Sequence, residues 1–120
     1  MSPSVAVETR VFPNQDTYSG GWSAGFPDGE GTYTWSDTSS YSGGWKRGKK
    51  HGVGKNVWPS GSVYEGEWVE GYMQGVGTFD AHDGTKYMGS WFHNQKHGLG
   101  QKMYANGDTY EGLWQKGTQS

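Results

Sequence analysis

The motif Tyr-x-Gly-x-Trp recurs at a constant interval of 23 residues, starting at Tyr18, Tyr41, Tyr64, Tyr87 and Tyr110 and closing on Trp22, Trp45, Trp68, Trp91 and Trp114. No insertion or deletion breaks the register. Seven residues after each Tyr stand Gly25, Gly48, Gly71, Asn94 and Gly117, and a Gly-x-Gly then follows at 29/31, 52/54, 75/77 and 98/100. A chain with this period is one supersecondary unit repeated. A unit that short cannot bury an aromatic face alone, so neighbouring units must stack to make a continuous core.

Inside the motif, the first, third and fifth residues share one face of a strand. Tyr and Trp therefore lie on one side with a glycine vacancy between them, into which a neighbouring ring can pack. The other side carries small or polar residues such as Ser42, Gly44, Glu65 and Glu67. The position that is Gly four times and Asn94 once suits a turn with positive φ. A second strand is predicted after each Gly-x-Gly, over 32–35, 55–58, 78–81 and 101–104. Turn pairs follow at Ser60-Gly61, Asp83-Gly84 and Asn106-Gly107, the last two being type I′ dipeptides. Asp37-Thr38 departs from that pattern and predicts a longer or less regular first turn. Residues 11–17 align with the back half of a unit. The predicted fold is all-β, a solenoid of stacked antiparallel hairpins, with roughly ten strands at ~4.8 Å spacing reaching about 45 Å. The domain organisation is a tail over 1–10, a half repeat over 11–17, repeats over 18–40, 41–63, 64–86 and 87–109, a partial repeat over 110–117 and a tail over 118–120. The unpaired strand edges near Val11 and Trp114 invite further strands or a second copy of the chain.

Composition limits the function classes. The chain combines 22 Gly with seven Trp, eight Tyr and four Phe at a mean hydropathy of −0.92, a mixture of turns and rings that separates it from ordinary disorder. It holds no cysteine, which excludes disulfide and thiolate sites and suits a reducing compartment. A net charge of −2 argues against nucleic acid as a partner. No segment approaches the ~20 apolar residues of a membrane helix. The expected location is cytoplasmic, with the inner face of the plasma membrane as a peripheral site.

The pattern Y-x-G-x-W-x-x-G-x-x-x-G-x-G over Val11 to Gly117 resembles the MORN (membrane occupation and recognition nexus) repeat. That resemblance implies an elongated, twisted antiparallel β-meander with a groove lined by the Tyr and Trp residues. The stretches WPSGSVYEGEW, GYMQGVGT, HNQKHGLG and ANGDTYEGLWQKG are similar to the N-terminal MORN region of plant-type phosphatidylinositol 4-phosphate 5-kinases. On that resemblance, a lipid-kinase catalytic domain would lie outside these residues.

The search for chemistry within the chain finds little. GGWKRGKK matches the glycine and lysine spacing of a phosphate loop, but Lys50 stands where Ser or Thr would hold magnesium and no helix is predicted after it. His51 and His97 share a repeat position four strands apart, roughly 19 Å, too far for one metal ion. His82 beside Asp80 and Asp83 reads as a solvated turn. No nucleophile–base set is visible, and no cofactor or metal is expected.

Two binding surfaces remain. The rings Tyr18, Trp22, Tyr41, Trp45, Tyr64, Trp68, Tyr87, Trp91, Tyr110 and Trp114 are chiefly the stacking core, and a subset left open is a candidate groove for a protein partner. The loop run Lys46, Arg47, Lys49, Lys50, His51 and Lys55 reads either as a solvated surface or as a contact for anionic lipid. Phe26, Tyr72 and Met73 are candidate apolar loop-tip contacts alternating with these basic tips.

Overall fold

In the computed structural model, which describes residues 6–119, the alternation of the repeat becomes one continuous antiparallel sheet of eleven strands in chain order. They are β1 (Ala6–Val11), β2 (Thr17–Ser23), β3 (Phe26–Thr34), β4 (Ser40–Lys46), β5 (Lys49–Val57), β6 (Val63–Val69), β7 (Tyr72–Asp80), β8 (Lys86–Phe92), β9 (Gln95–Met103), β10 (Thr109–Gln115) and β11 (Thr118–Gln119). The ribbon measures 46 × 30 × 21 Å, matching the length expected from strand spacing. Each strand pairs only with its sequence neighbours, as a meander requires.

Four details differ from the sequence reading. The expected tails contribute strands: Ala6–Val11 covers the outer edge of β2, and Thr118–Gln119 returns on β10 after a tight turn. Residues 1–5 and Ser120 lie outside the described residues. Among the described residues the outermost strands are thus β1 and β11, and Val11 and Trp114 are themselves paired, to Thr17 and Gln119. Secondly, the second strand of each unit begins before the Gly-x-Gly and runs for nine residues through it. A bulge makes this passage. On β4 a single residue separates Gly43 from Trp45, while three on β5 separate their partners Gly54 and Lys50. Gly52 inside that bulge has φ +85, a conformation that side chains strain.

Thirdly, the type I′ geometry sits at the other edge of the sheet. At Ala24-Gly25, Arg47-Gly48, Glu70-Gly71, His93-Asn94 and Lys116-Gly117, both residues have positive φ. The expectation of positive φ at the Gly/Asn94 position is met, and the residue before it shares that conformation. Asn94 adds a bond no glycine can make, its Oδ1 accepting the Met73 amide at 2.8 Å. The pairs Ser60-Gly61, Asp83-Gly84 and Asn106-Gly107 instead have positive φ only at the glycine. There the Gly61 amide donates to the Trp58 carbonyl at 2.9 Å, a type I turn followed by a left-handed glycine. Fourthly, the turn at Asp37-Thr38 is neither longer nor irregular. It closes with the same pair of bonds, Trp35 N to Ser39 O at 2.9 Å and Thr38 N to Trp35 O at 3.0 Å. Thr38 simply tolerates φ 79, a strain of about 1–2 kcal/mol for a β-branched residue.

The core is the ladder of repeat rings. Tyr41 meets Trp45 of its own unit edge-on at 5.0 Å and Trp68 of the next at 5.3 Å. Each hydroxyl turns back on its own strand, Tyr41 donating to the Gly44 carbonyl at 3.0 Å. Each indole crosses to the preceding unit, Trp68 Nε1 donating to the Gly54 carbonyl at 3.1 Å. Buried polar atoms are thereby satisfied as burial demands. The ring packs over a different glycine from the one expected. At Gly54, inside the Gly-x-Gly, a Cβ would collide with the Tyr41 ring and hydroxyl, whereas the space at Gly43, between Tyr41 and Trp45, is taken by the backbone of Val53 and Gly54. The opposite face carries the expected polar residues, with Val53, Val76 and Leu99 also exposed on it.

Candidate functional site

The ten repeat rings are chiefly stacking core, as expected, and the subset left open for a groove is small. Tyr18, Tyr41, Tyr64 and Tyr87 have at most 1% of their surface exposed, and Trp22, Trp45, Trp68, Trp91 and Trp114 are also buried. Only Tyr110 of the ten candidates is half-exposed, at the last full strand. The inner rings interlock because each has a T-shaped partner on both sides, Tyr41 and Tyr64 between tryptophans of their own unit and the next, which closes them to a partner molecule.

What stays open on the same face is a second set of half-buried aromatics packed against that core: Phe12, Tyr33, Trp35, Trp58 and Phe79. They occupy two repeat positions missing from the expected groove. Phe12 stacks on Tyr33 at 5.9 Å, and Trp58 meets Phe79 at 5.5 Å. In each pair the second ring lies 21 residues after the first. The corresponding partner of Trp35 is Asn56, so one ring is missing from the series. Tyr33 is anchored by its hydroxyl, which donates to Asp16 Oδ2 at 2.7 Å. Burial pushes the Tyr33 phenol up to about 12, and the bond from Tyr33 holds the Asp16 carboxyl below its ordinary range.

The gap at Asn56 is a hollow of about 230 Å³ lined by Trp35, Asp37, Ser39, Lys50, Asn56 and Trp58. Lys50 supplies its charge. The Nζ lies 5.0, 5.4 and 4.9 Å from the ring centroids of Trp35, Tyr41 and Trp68 and donates to Asn56 Oδ1 at 2.8 Å. Burial pushes its pKa down to about 8, while the electron-rich ring faces and the amide oxygen favour the ammonium that remains at neutral pH.

A family model for the MORN repeat matches residues 18–40, 41–63, 64–86 and 87–109. The chain is a MORN-repeat protein. The matched units have the same boundaries as those read from the 23-residue period. No curated protein matches the sequence.

The basic run of this MORN array is not one loop. Arg47 alone occupies the turn with Gly48, Lys46 ends β4, and Lys49, Lys50, His51 and Lys55 belong to β5. Alternation therefore divides the run, sending Lys50 to the aromatic face and Lys49, His51 and Lys55 to the other. Lys55 stands opposite Glu65 in the β5–β6 register, and Glu70 shares a surface hollow with Lys46, Arg47 and Lys49. The expected basic patch is thus split between two faces and partly opposed. Among the apolar tip candidates, Phe26 and Tyr72 begin β3 and β7 and are exposed. Met73 is buried on the aromatic face, at the repeat position of Lys50. Among the described residues no group of three His, Asp or Glu side chains is placed to hold a metal ion.

The sign of the Lys50 shift makes a pH prediction. Its folded pKa lies below the ordinary lysine value of 10.5, so between about 8 and 10.5 the unfolded chain binds more protons. Stability conferred through Lys50 then rises with pH across that window. The raised Tyr33 works oppositely, its contribution being full below pH 10 and lost towards 12. Chemical denaturation of wild type and Lys50→Met at pH 7 and 9.5 isolates the lysine. The variant's stability advantage is expected to shrink at the higher pH, and an advantage that grew would refute the burial of this ammonium.

Proposed function

We propose that this MORN array is a non-catalytic module that holds a protein partner along its aromatic face. The observation that carries this reading is the open row of Phe12, Tyr33, Trp35, Trp58 and Phe79, half-buried rings packed against a finished core. Rings already immobilised by packing lose little side-chain entropy on binding, and they offer large apolar area beside polar groups. The sheet beneath is held by hydrogen bonds from end to end, so the surface is preorganised. In a longer protein the array would serve as the regulatory or targeting region of a catalytic domain, a lipid kinase on the resemblance of its sequence. The outer edges of β1 and β11 are where a second copy would add. The expected setting is the cytoplasm.

The test compares parallel pull-downs from the source cells using wild type and Trp35→Ala/Phe79→Ala, both first shown to unfold cooperatively. Partners retained by wild type are expected to be missing from the variant. Identical partner lists would remove the aromatic face as the binding surface.

A second reading, anionic phospholipid binding, draws on Lys46, Arg47 and Lys49, which cluster around the β4–β5 turn. Three such charges contribute at most ~3 kcal/mol at an anionic surface, and Glu70 beside them subtracts. Co-sedimentation with phosphoinositide vesicles at two salt concentrations tests it. Binding that is indifferent to salt, or that survives replacement of all three residues by Ser, would exclude it.

A further inference from the structure

The row of open rings has a single interruption between Phe12 and Phe79, and its chemistry is specific. Tyr33, Asn56, Phe79 and Lys102 share one repeat position, and Pro27, Lys50, Met73 and Lys96 share another. In the second repeat, then, an amide replaces the ring and an ammonium replaces the apolar side chain, on the same strand. The Lys50 ammonium has three donors, of which one is directed to Asn56 Oδ1. The walls, Trp35 and Trp58, are half-buried and apolar.

We propose that this gap is a socket for an aspartate or glutamate side chain of the partner that docks on the aromatic face. The inference rests on the face-binding reading above and assigns the partner's chemistry. A carboxylate entering between Trp35 and Trp58 takes a charge-assisted bond from Lys50, and the docked partner, by covering the hollow, removes the water that would weaken it. Charge supports that occupant. In β2–β10 the charged side chains that alternate onto the aromatic face are Lys50, Lys96 and Lys102, all basic, whereas the other face carries both signs, Asp28, Glu30, Glu65, Glu67, Asp80 and Glu111 with Lys46, Lys49, Lys55 and Lys86. Asp16, bonded to the Tyr33 hydroxyl, and Asp37, in the lining of the hollow, also stand on this side, so the attraction for an acidic segment is carried by the three lysines of β5 and β9. Asp37 at the rim accepts bonds from the Ser39 amide and hydroxyl. Its negative charge favours a singly charged carboxylate over a doubly charged phosphate.

The repeat supplies the variants. Asn56→Phe installs the ring that Phe79 carries and closes the gap, and Lys50→Met installs the side chain of Met73, so both should fold. The probe is a displayed library of random linear peptides, selected on wild type and resynthesised for solution binding. The selected peptides are expected to share an acidic residue. Its replacement by the amide should weaken binding about 10- to 100-fold. Asn56→Phe and Lys50→Met should each weaken the parent peptide comparably, and on Lys50→Met the amide peptide should bind no worse than its parent. Peptides that lose binding to Phe79→Ala but lack a shared acid, or that bind Asn56→Phe unchanged, would overturn the socket and leave the face-binding reading intact. Peptides indifferent to both Phe79→Ala and Asn56→Phe would overturn both, as would a selection that yields none.

Discussion

Gly54→Ala is expected to destabilise the array by about 4 kcal/mol, although it adds one methyl group. The Cβ would enter the space held by the Tyr41 ring and hydroxyl, and the opposing backbone of Gly43 is too close for the sheet to open locally. Overpacking at such a site costs about 3 kcal/mol. Displacing the Tyr41 hydroxyl from the Gly44 carbonyl adds about 1 kcal/mol. Gly52→Ala is the matched control two residues away. Nothing lies near its Cβ, so it carries only the strain of a left-handed alanine at φ +85, about 1–2 kcal/mol. Urea denaturation of the two variants decides the matter. If Gly54→Ala proved no more damaging than Gly52→Ala, the vacancy would not be what holds the tyrosine.

Trp68→Ala should cost still more cooperativity than stability. Trp68 is buried at 3% exposure and stands edge-on to both Tyr41 and Tyr64. Its indole donates to the Gly54 carbonyl across the junction of two repeats. Truncating a buried Trp removes about 3–5 kcal/mol. The loss falls on a contact between units, and in a linear array each unit has only its neighbours to depend on. The expected result is a biphasic unfolding curve in which the two halves separate. Trp68→Phe, keeping a ring but not the donor, should retain a single transition at a lower midpoint. Coincident single transitions by fluorescence and circular dichroism for Trp68→Ala would show that the junction does not couple the halves.

The outcome at the candidate site separates two kinds of information. Alternation along a strand assigns a side chain to a face, and Tyr41, Trp45 and their equivalents lie together as their spacing demands. Alternation also places Lys50 with Asn56 and apart from Lys49, a signal present in the sequence but legible only once residues 49–57 are known to be one strand. The glycines at 52 and 54 masked it, since Gly-x-Gly resembles a turn and is here the interior of a bulged strand. Met73 follows the same logic, standing one residue inside β7 and so on its aromatic face and not at a loop tip.

From the chain of amino acids alone came the 23-residue unit, the hairpin meander and the left-handed turn position, because each is set by local sterics repeated in register. Which rings are sealed and which remain open could not come from there. Burial of Tyr41 depends on Trp68 arriving from the next unit, and the hollow beside Trp35 depends on a ring absent 21 residues later. Such relations join residues across strands, and only the stacked sheet brings them within reach of one another.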